Sequence, residues 1–183
     1  MDIREVHNRF FSFRNGVVAK AFSDAGAPYK RVFGLQLPQL GALAREIGSD
    51  AELARQLWAE KECREARLLA CYLFNPDELP QEEALAMARD VQTREEADIL
   101  AWRLLRRLPY AVTLLAHLDG YLDAHLDDYP AEALRRNLPS YPSPSLRTRP
   151  PVAVDLRSDG YTRVYTALNL VEWGTRIFFH AFA

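Results

Sequence analysis

Residues 53–73 read LARQLWAEKECREARLLACYL, and the fold turns on them. Leu53, Ala54, Leu57 and Trp58 fall at i, i+1, i+4 and i+5, the buried stripe of an α-helix. After a short charged break, Ala66, Leu69, Ala70 and Leu73 restart the period at i, i+3, i+4 and i+7. Two such helices joined by so few residues must fold back antiparallel, burying their stripes together.

The period extends in both directions. Leu40, Leu43, Ala44 and Ile47 carry it before this pair, and Ala97, Leu100, Ala101, Leu104 and Leu108 after it. Tyr161, Val164, Tyr165 and Leu168 repeat it near the C-terminus. Start signals accompany the stripes. Asp2 with Glu5, Ser49 with Glu52, and Thr93 with Glu96 have capping-box spacing. Pro38, Pro80 and Pro130 suit a first helical turn, and Gly48 suits a C-terminal cap after Ile47. Helices are therefore expected over 2–14, 16–25, 38–47, 50–60, 64–74, 81–91, 94–107, 110–126, 130–137 and 160–179, with no strand. The pair 50–60 and 64–74 is followed about thirty residues later by the pair 81–91 and 94–107. That spacing, without sequence identity, predicts an all-α protein built as a short, curved α-solenoid of antiparallel helix pairs.

The 183 residues are expected to form one domain, 1–183, interrupted by a loop at 138–151. The loop, LPSYPSPSLRTRPP, holds five prolines and three serines, so it cannot be helix. Charge changes sign around it. Asp119, Asp123, Asp127, Asp128 and Glu132 precede it; Arg135, Arg136, Arg147, Arg149, Arg157 and Arg163 lie around and beyond it.

A net charge of -2 argues against a surface that binds polyanions all over, while leaving room for a local basic patch. Cys63 and Cys71 sit eight residues apart in one expected helix. Their backbones would then be roughly 12 Å apart, too far for a disulfide. Reduced thiols, a charged start (MDIREVHNRF) and no apolar run of about 20 residues point to a cytoplasmic protein with no membrane span. The chain lacks a Gly-rich phosphate loop, a GxSxG elbow and a CxxC pair. His7, His117, His125 and His180 show no metal-ligand spacing, so neither metal nor cofactor is expected.

An ordered set of motifs lies within residues 34–109. Gly34-Leu35-Gln36-Leu37-Pro38-Gln39-Leu40 opens it, followed by Leu53-Ala54-Arg55-Gln56-Leu57-Trp58, by Glu65-Ala66-Arg67-Leu68-Leu69-Ala70, and by a helix containing Asp98. Together they resemble the DNA alkylation repair family of HEAT-like repeat glycosylases. The resemblance implies a right-handed α-α superhelix whose concave face grips duplex DNA. It further implies release of cationic N3- or N7-alkylpurines, an Asp stabilising the oxocarbenium-like sugar as the C–N bond breaks, with the base not drawn into a pocket. By position that Asp is Asp98. The family's preceding W-D falls here on Arg94-Glu95, so a cation replaces an aromatic wall. Arg94 and Asp98, at i and i+4, also suit an intrahelical ion pair. Trp102, one turn on, offers an aromatic surface to the lesion or a packing residue to its neighbours.

The DNA-contact residues expected on this reading are Lys30, Arg31, Trp102, Arg135, Arg136, Arg147, Arg149 and Arg163. Fold resemblance does not by itself carry function. The alternative is a catalytically inactive HEAT-like scaffold that holds a protein partner in the same groove.

Overall fold

The computed structural model describes residues 1–121 together with Pro130, Ala133, Leu134, Asn137 and Leu138. Among them the chain forms α1 (Ile3–Ser12), α2 (Gly16–Asp24), α3 (Leu37–Ile47), α4 (Ala51–Ala59), α5 (Arg64–Leu73), α6 (Gln81–Arg89), α7 (Arg94–Arg103) and α8 (Ala111–Tyr121). A 3-10 turn at Leu105–Arg107 lies between the last two, and no strand is present among these residues. The all-α expectation holds, and every expected helix within this range is present. The expected helix at 160–179 and the loop at 138–151 fall outside the described residues, apart from Leu138. None of the described helices is long and apolar enough to cross a membrane.

Local chemistry sets the helix ends. Asp2 and Glu5 form the expected reciprocal box, each side chain 2.8 Å from the other's backbone N–H. The cap of α4 is Asp50, not Ser49: its carboxylate accepts from Leu53 N–H at 3.0 Å. Ser49 instead donates to the Leu73 carbonyl at 3.2 Å, stitching the start of α4 to the end of α5. Pro80 stands at the cap of α6 rather than inside it. Gly48 ends α3 at φ 81°, a backbone angle that suits glycine. The helix expected to run to 107 breaks at Leu104. Leu108 then precedes Pro109, whose ring disfavours helical backbone before it, and is extended at ψ 140°.

α5 is the central helix of the packing. It lies against α4, α3 and α7, and α6 lies against α8. Arg64 at the start of α5 meets Glu95 near the start of α7, and Tyr72 near the end of α5 meets Arg103 at the end of α7. These two helices therefore run parallel, with α6 as the antiparallel return between them. Several links between helices have sequence offsets near thirty residues. Lys30–Glu62 spans 32 residues, Arg55–Glu83 28, Arg64–Glu95 31, Arg67–Glu96 29 and Tyr110–Leu79 31.

One core runs through the stack, from Val6 and Phe10 on α1 through Leu57, Leu68, Leu69 and Leu100 to Leu134. Truncating any of its fully buried leucines costs about 2–5 kcal/mol. A second, smaller cluster of Val18, Phe22 and Tyr29 sits under α2.

Candidate functional site

The first turns of α5 and α7 hold a buried array of charge. Arg64 is bidentate to Glu95, with Nε at 2.8 Å and a terminal nitrogen at 2.5 Å. Its other terminal nitrogen donates to Glu65 at 2.9 Å and to the Leu35 carbonyl at 3.0 Å, and its guanidinium stacks 4.2 Å over Phe22. Glu65 in turn accepts the backbone N–H groups of Phe33, Gly34 and Leu35 at 3.0, 2.9 and 3.3 Å. Gly34 is obligatory in this clamp. Its φ is 80°, and an added Cβ would stand 2.3 Å from the Asn15 carbonyl oxygen.

Arg67 repeats the arrangement one turn on. It is bidentate to Glu96 at 3.1 and 3.0 Å, donates to Asp90 and to the Trp58 carbonyl, and lies 3.5 Å over the Trp58 ring. Burial alone would lower its guanidinium's pKa, but Glu96 and Asp90 outweigh that and raise it. Glu96 also accepts from Tyr29 Oη at 2.7 Å and from Gln92 N–H at 2.9 Å. Thr93 caps α7 as expected, but the Glu96 carboxylate does not complete the box; Arg67 and Tyr29 hold it instead. Glu65 also pairs with its neighbour Arg64. Trp58 is core, and it also serves as the platform for Arg67.

Among the described residues, a cleft lies at the other ends of the same helices. It measures about 350 Å³ and is lined by Leu37, Pro38, Gly41, Ala44 and Arg45 of α3, Tyr72 of α5 and Arg103 of α7. Arg103 lies 4.5 Å over the Tyr72 ring. Beside it, Trp102 is half-buried and carries the Arg106 guanidinium 3.5 Å over its indole, and Arg106 Nε donates to the Trp102 carbonyl at 2.8 Å. Asp98 lies one turn before Trp102 on α7 and is 5% exposed. Among the described residues no ion pair joins Arg94 to Asp98, in contrast to the expected intrahelical bridge. Arg94 is half-buried, and the acids next to it, Glu95 and Glu96, belong to the two buried pairs.

Of the expected basic contacts, Lys30 and Arg31 are exposed and have acidic partners. Lys30 pairs with Glu62 and Arg31 with Glu60 at the surface. Tyr29, the neighbour of Lys30, is buried rather than displayed. Arg135, Arg136, Arg147, Arg149 and Arg163 lie outside the described residues.

One further cluster joins residues far apart in sequence. His7 Nε2 on α1 lies 2.7 Å from a carboxylate oxygen of Glu60, the C-terminal cap of α4. Cys63, the N-terminal cap of α5, completes a group whose three donor atoms all lie within 4.8 Å of one another. The spacing of histidines could not reveal it, because His7 and Glu60 are 53 residues apart. Both cysteines are free and buried, and burial pushes the Cys63 thiol up to about 11 and that of Cys71 further still. Neither is an activated nucleophile.

A family model described as DNA alkylation repair enzyme matches residues 8–124, well over half of the chain. No curated protein and no solved structure matches.

Proposed function

The chain belongs to the DNA alkylation repair enzyme family, and from that premise we propose that it binds duplex DNA and releases cationic alkylated purines. The proposed architecture is a single HEAT-like solenoid whose concave face is the row α3, α5 and α7. The regular offset of about thirty residues between paired contacts supports it.

Asp98 is the proposed catalytic carboxylate. An N3- or N7-alkylated purine already carries positive charge, so its departure needs no strong general acid. What the reaction needs is a negative group beside the sugar as the C–N bond lengthens and positive charge builds on the ring. A carboxylate shielded from water does this better than a solvated one. The observation that carries the reading is the placement of Asp98. It is the buried acid of α7 that lies next along the helix from the ion-paired Glu95 and Glu96, toward Trp102, Arg103 and Arg106. Trp102 would lie along the deoxyribose, and Arg103 and Arg45 would meet backbone phosphates.

The test is incubation of the purified protein with duplex DNA carrying N7-methylguanine or N3-methyladenine. Base release is expected, and Asp98→Asn should slow it by roughly 10²–10³-fold, the usual cost of removing one preorganised transition-state contact. Equal release by both proteins would dismiss Asp98.

A second reading keeps the fold without the chemistry. Arg94 in place of the family's aromatic favours it, as do the acid partners of Lys30 and Arg31. In that reading the groove holds a protein partner, and neither wild type nor variant releases base.

A further inference from the structure

We propose that His7, Glu60 and Cys63 form a binding site for a divalent cation of the zinc class, which clips α1 to the α4–α5 turn. The inference is independent of the DNA reading. Two of the three donors are held by one tight turn: Cys63 N–H donates to the Glu60 carbonyl at 3.0 Å. Arg31 braces the same turn from outside, its backbone N–H bonded to the Glu62 carbonyl at 2.9 Å and its carbonyl accepting from Arg64 N–H at 3.2 Å. The third donor comes from α1, where Phe10 meets the His7 ring edge-on at 5.6 Å and Phe33 lies 6.3 Å away. The donor atoms therefore sit on fixed backbone and between fixed rings, as a metal site requires.

The donor set selects the ion. Thiolate and imidazole together exclude the all-oxygen preference of Mg²⁺ and Ca²⁺ and suit Zn²⁺. Neighbouring ligands around tetrahedral zinc stand about 3.5 Å apart. That value lies between the 2.7 Å of the His7–Glu60 contact and the 4.8 Å bound of the cluster. On binding, the Cys63 S–H proton passes to solvent as the sulfur–metal bond forms, and nothing is oxidised or reduced. Thiolate and carboxylate then balance the charge of the ion. Glu60 keeps its second oxygen on Arg31, at 2.7 Å, which orients the carboxylate. Cys63 is fully buried, whereas the His7 and Glu60 side chains are 23% and 20% exposed. The ion would enter past those two and take water as its fourth ligand.

Cobalt is the spectroscopic stand-in for zinc. The full chain, stripped with chelator, is titrated with Co²⁺ and read for the near-ultraviolet thiolate-to-cobalt band, then back-titrated with Zn²⁺. The band is expected with wild type and with Cys71→Ala, whose thiol lies elsewhere in the core. Cys63→Ser should abolish it, and His7→Gln should weaken Co²⁺ binding about tenfold or more. Should Cys63→Ser fail to fold by circular dichroism, His7→Gln decides, because its side chain reaches solvent. Zn²⁺ is also expected to raise the melting temperature of wild type and not of His7→Gln. A wild type without the thiolate band, a band that survives Cys63→Ser, or equal binding by His7→Gln would overturn the site and mark the metal as adventitious.

Discussion

The two ends of α5 and α7 are built from the same residue types and do opposite things. At the starting end, Arg64 and Arg67 are almost wholly buried, and each is matched to its own carboxylate on α7. At the far end, Arg103 and Arg106 lie over Tyr72 and Trp102 beside a cleft. A buried guanidinium locked between two carboxylates or carbonyls has no donor left for a ligand. Glu65 and Arg67 of the motif Glu65-Ala66-Arg67 therefore serve architecture. On the DNA reading proposed above, ligand recognition would fall at the end where the motif has run out, with Asp98 between the two.

The largest expected effect comes from breaking the closed end. Arg67→Met leaves Glu96 buried with only Tyr29 and backbone N–H partners. It should cost about 3–5 kcal/mol of unfolding free energy, because the stranded carboxylate must be buried unpaired or protonated. Adding Glu96→Gln to the same chain should restore part of that loss. Urea denaturation checks both, and a loss below about 1 kcal/mol would mean that water reaches the pair. Gly34→Ala tests the loop that Glu65 clamps. The Cβ collision with the Asn15 carbonyl and the positive φ should together cost about 1–3 kcal/mol. The damage should fall on the joint between α2 and α3, read as faster amide exchange at Phe33, Gly34 and Leu35.

Much of this division could be read in the residues, and its limits are physical. Period-3.6 stripes locate the helices because burial of one face is a property of each segment alone. The thirty-residue shift emerged from helix lengths, and a contact such as Arg64–Glu95, which spans 31 residues, agrees with it. Capping was half legible. Asp2 with Glu5 is a local exchange and formed as expected, whereas the Glu96 carboxylate was drawn away by Arg67, 29 residues distant. Ser49 and Asp50 are both good caps, and the carbonyl of Leu73 decided between them. For the candidate site, spacing placed Asp98 and Trp102 one turn apart. It could not show that Lys30 and Arg31 meet acids from another unit, nor that His7 meets Glu60 and Cys63, since those meetings depend on tertiary structure.

Smaller effects are expected where the closed array gives way to solvent. Arg103→Ala should cost about 0.5–1 kcal/mol for the cation–π contact over Tyr72, less than the loss of Arg67 at the closed end. On the DNA reading it should weaken binding to plain duplex and reduce the salt slope by about 0.9 for a single lost phosphate contact. A salt slope identical to wild type would move the phosphate contacts elsewhere. Asp90 sits between the two regimes, shared by the buried Arg67 and the exposed Lys61. Its partial burial pulls its carboxyl upward, but Lys61 and Arg67 outweigh that and hold it below the usual range. A depressed folded pKa stabilises the native state above the unfolded value of about 3.9, and the benefit fades as pH falls through the folded value. Asp90→Asn should therefore be less stable than wild type at neutral pH, with the gap closing as the solution is acidified below about pH 4. Lys61→Met should narrow the gap only slightly if the buried Arg67 is the stronger partner. Chemical denaturation of the three proteins across that pH range would rank the two cations. A dominant Lys61 would extend the open regime one turn further into the stack.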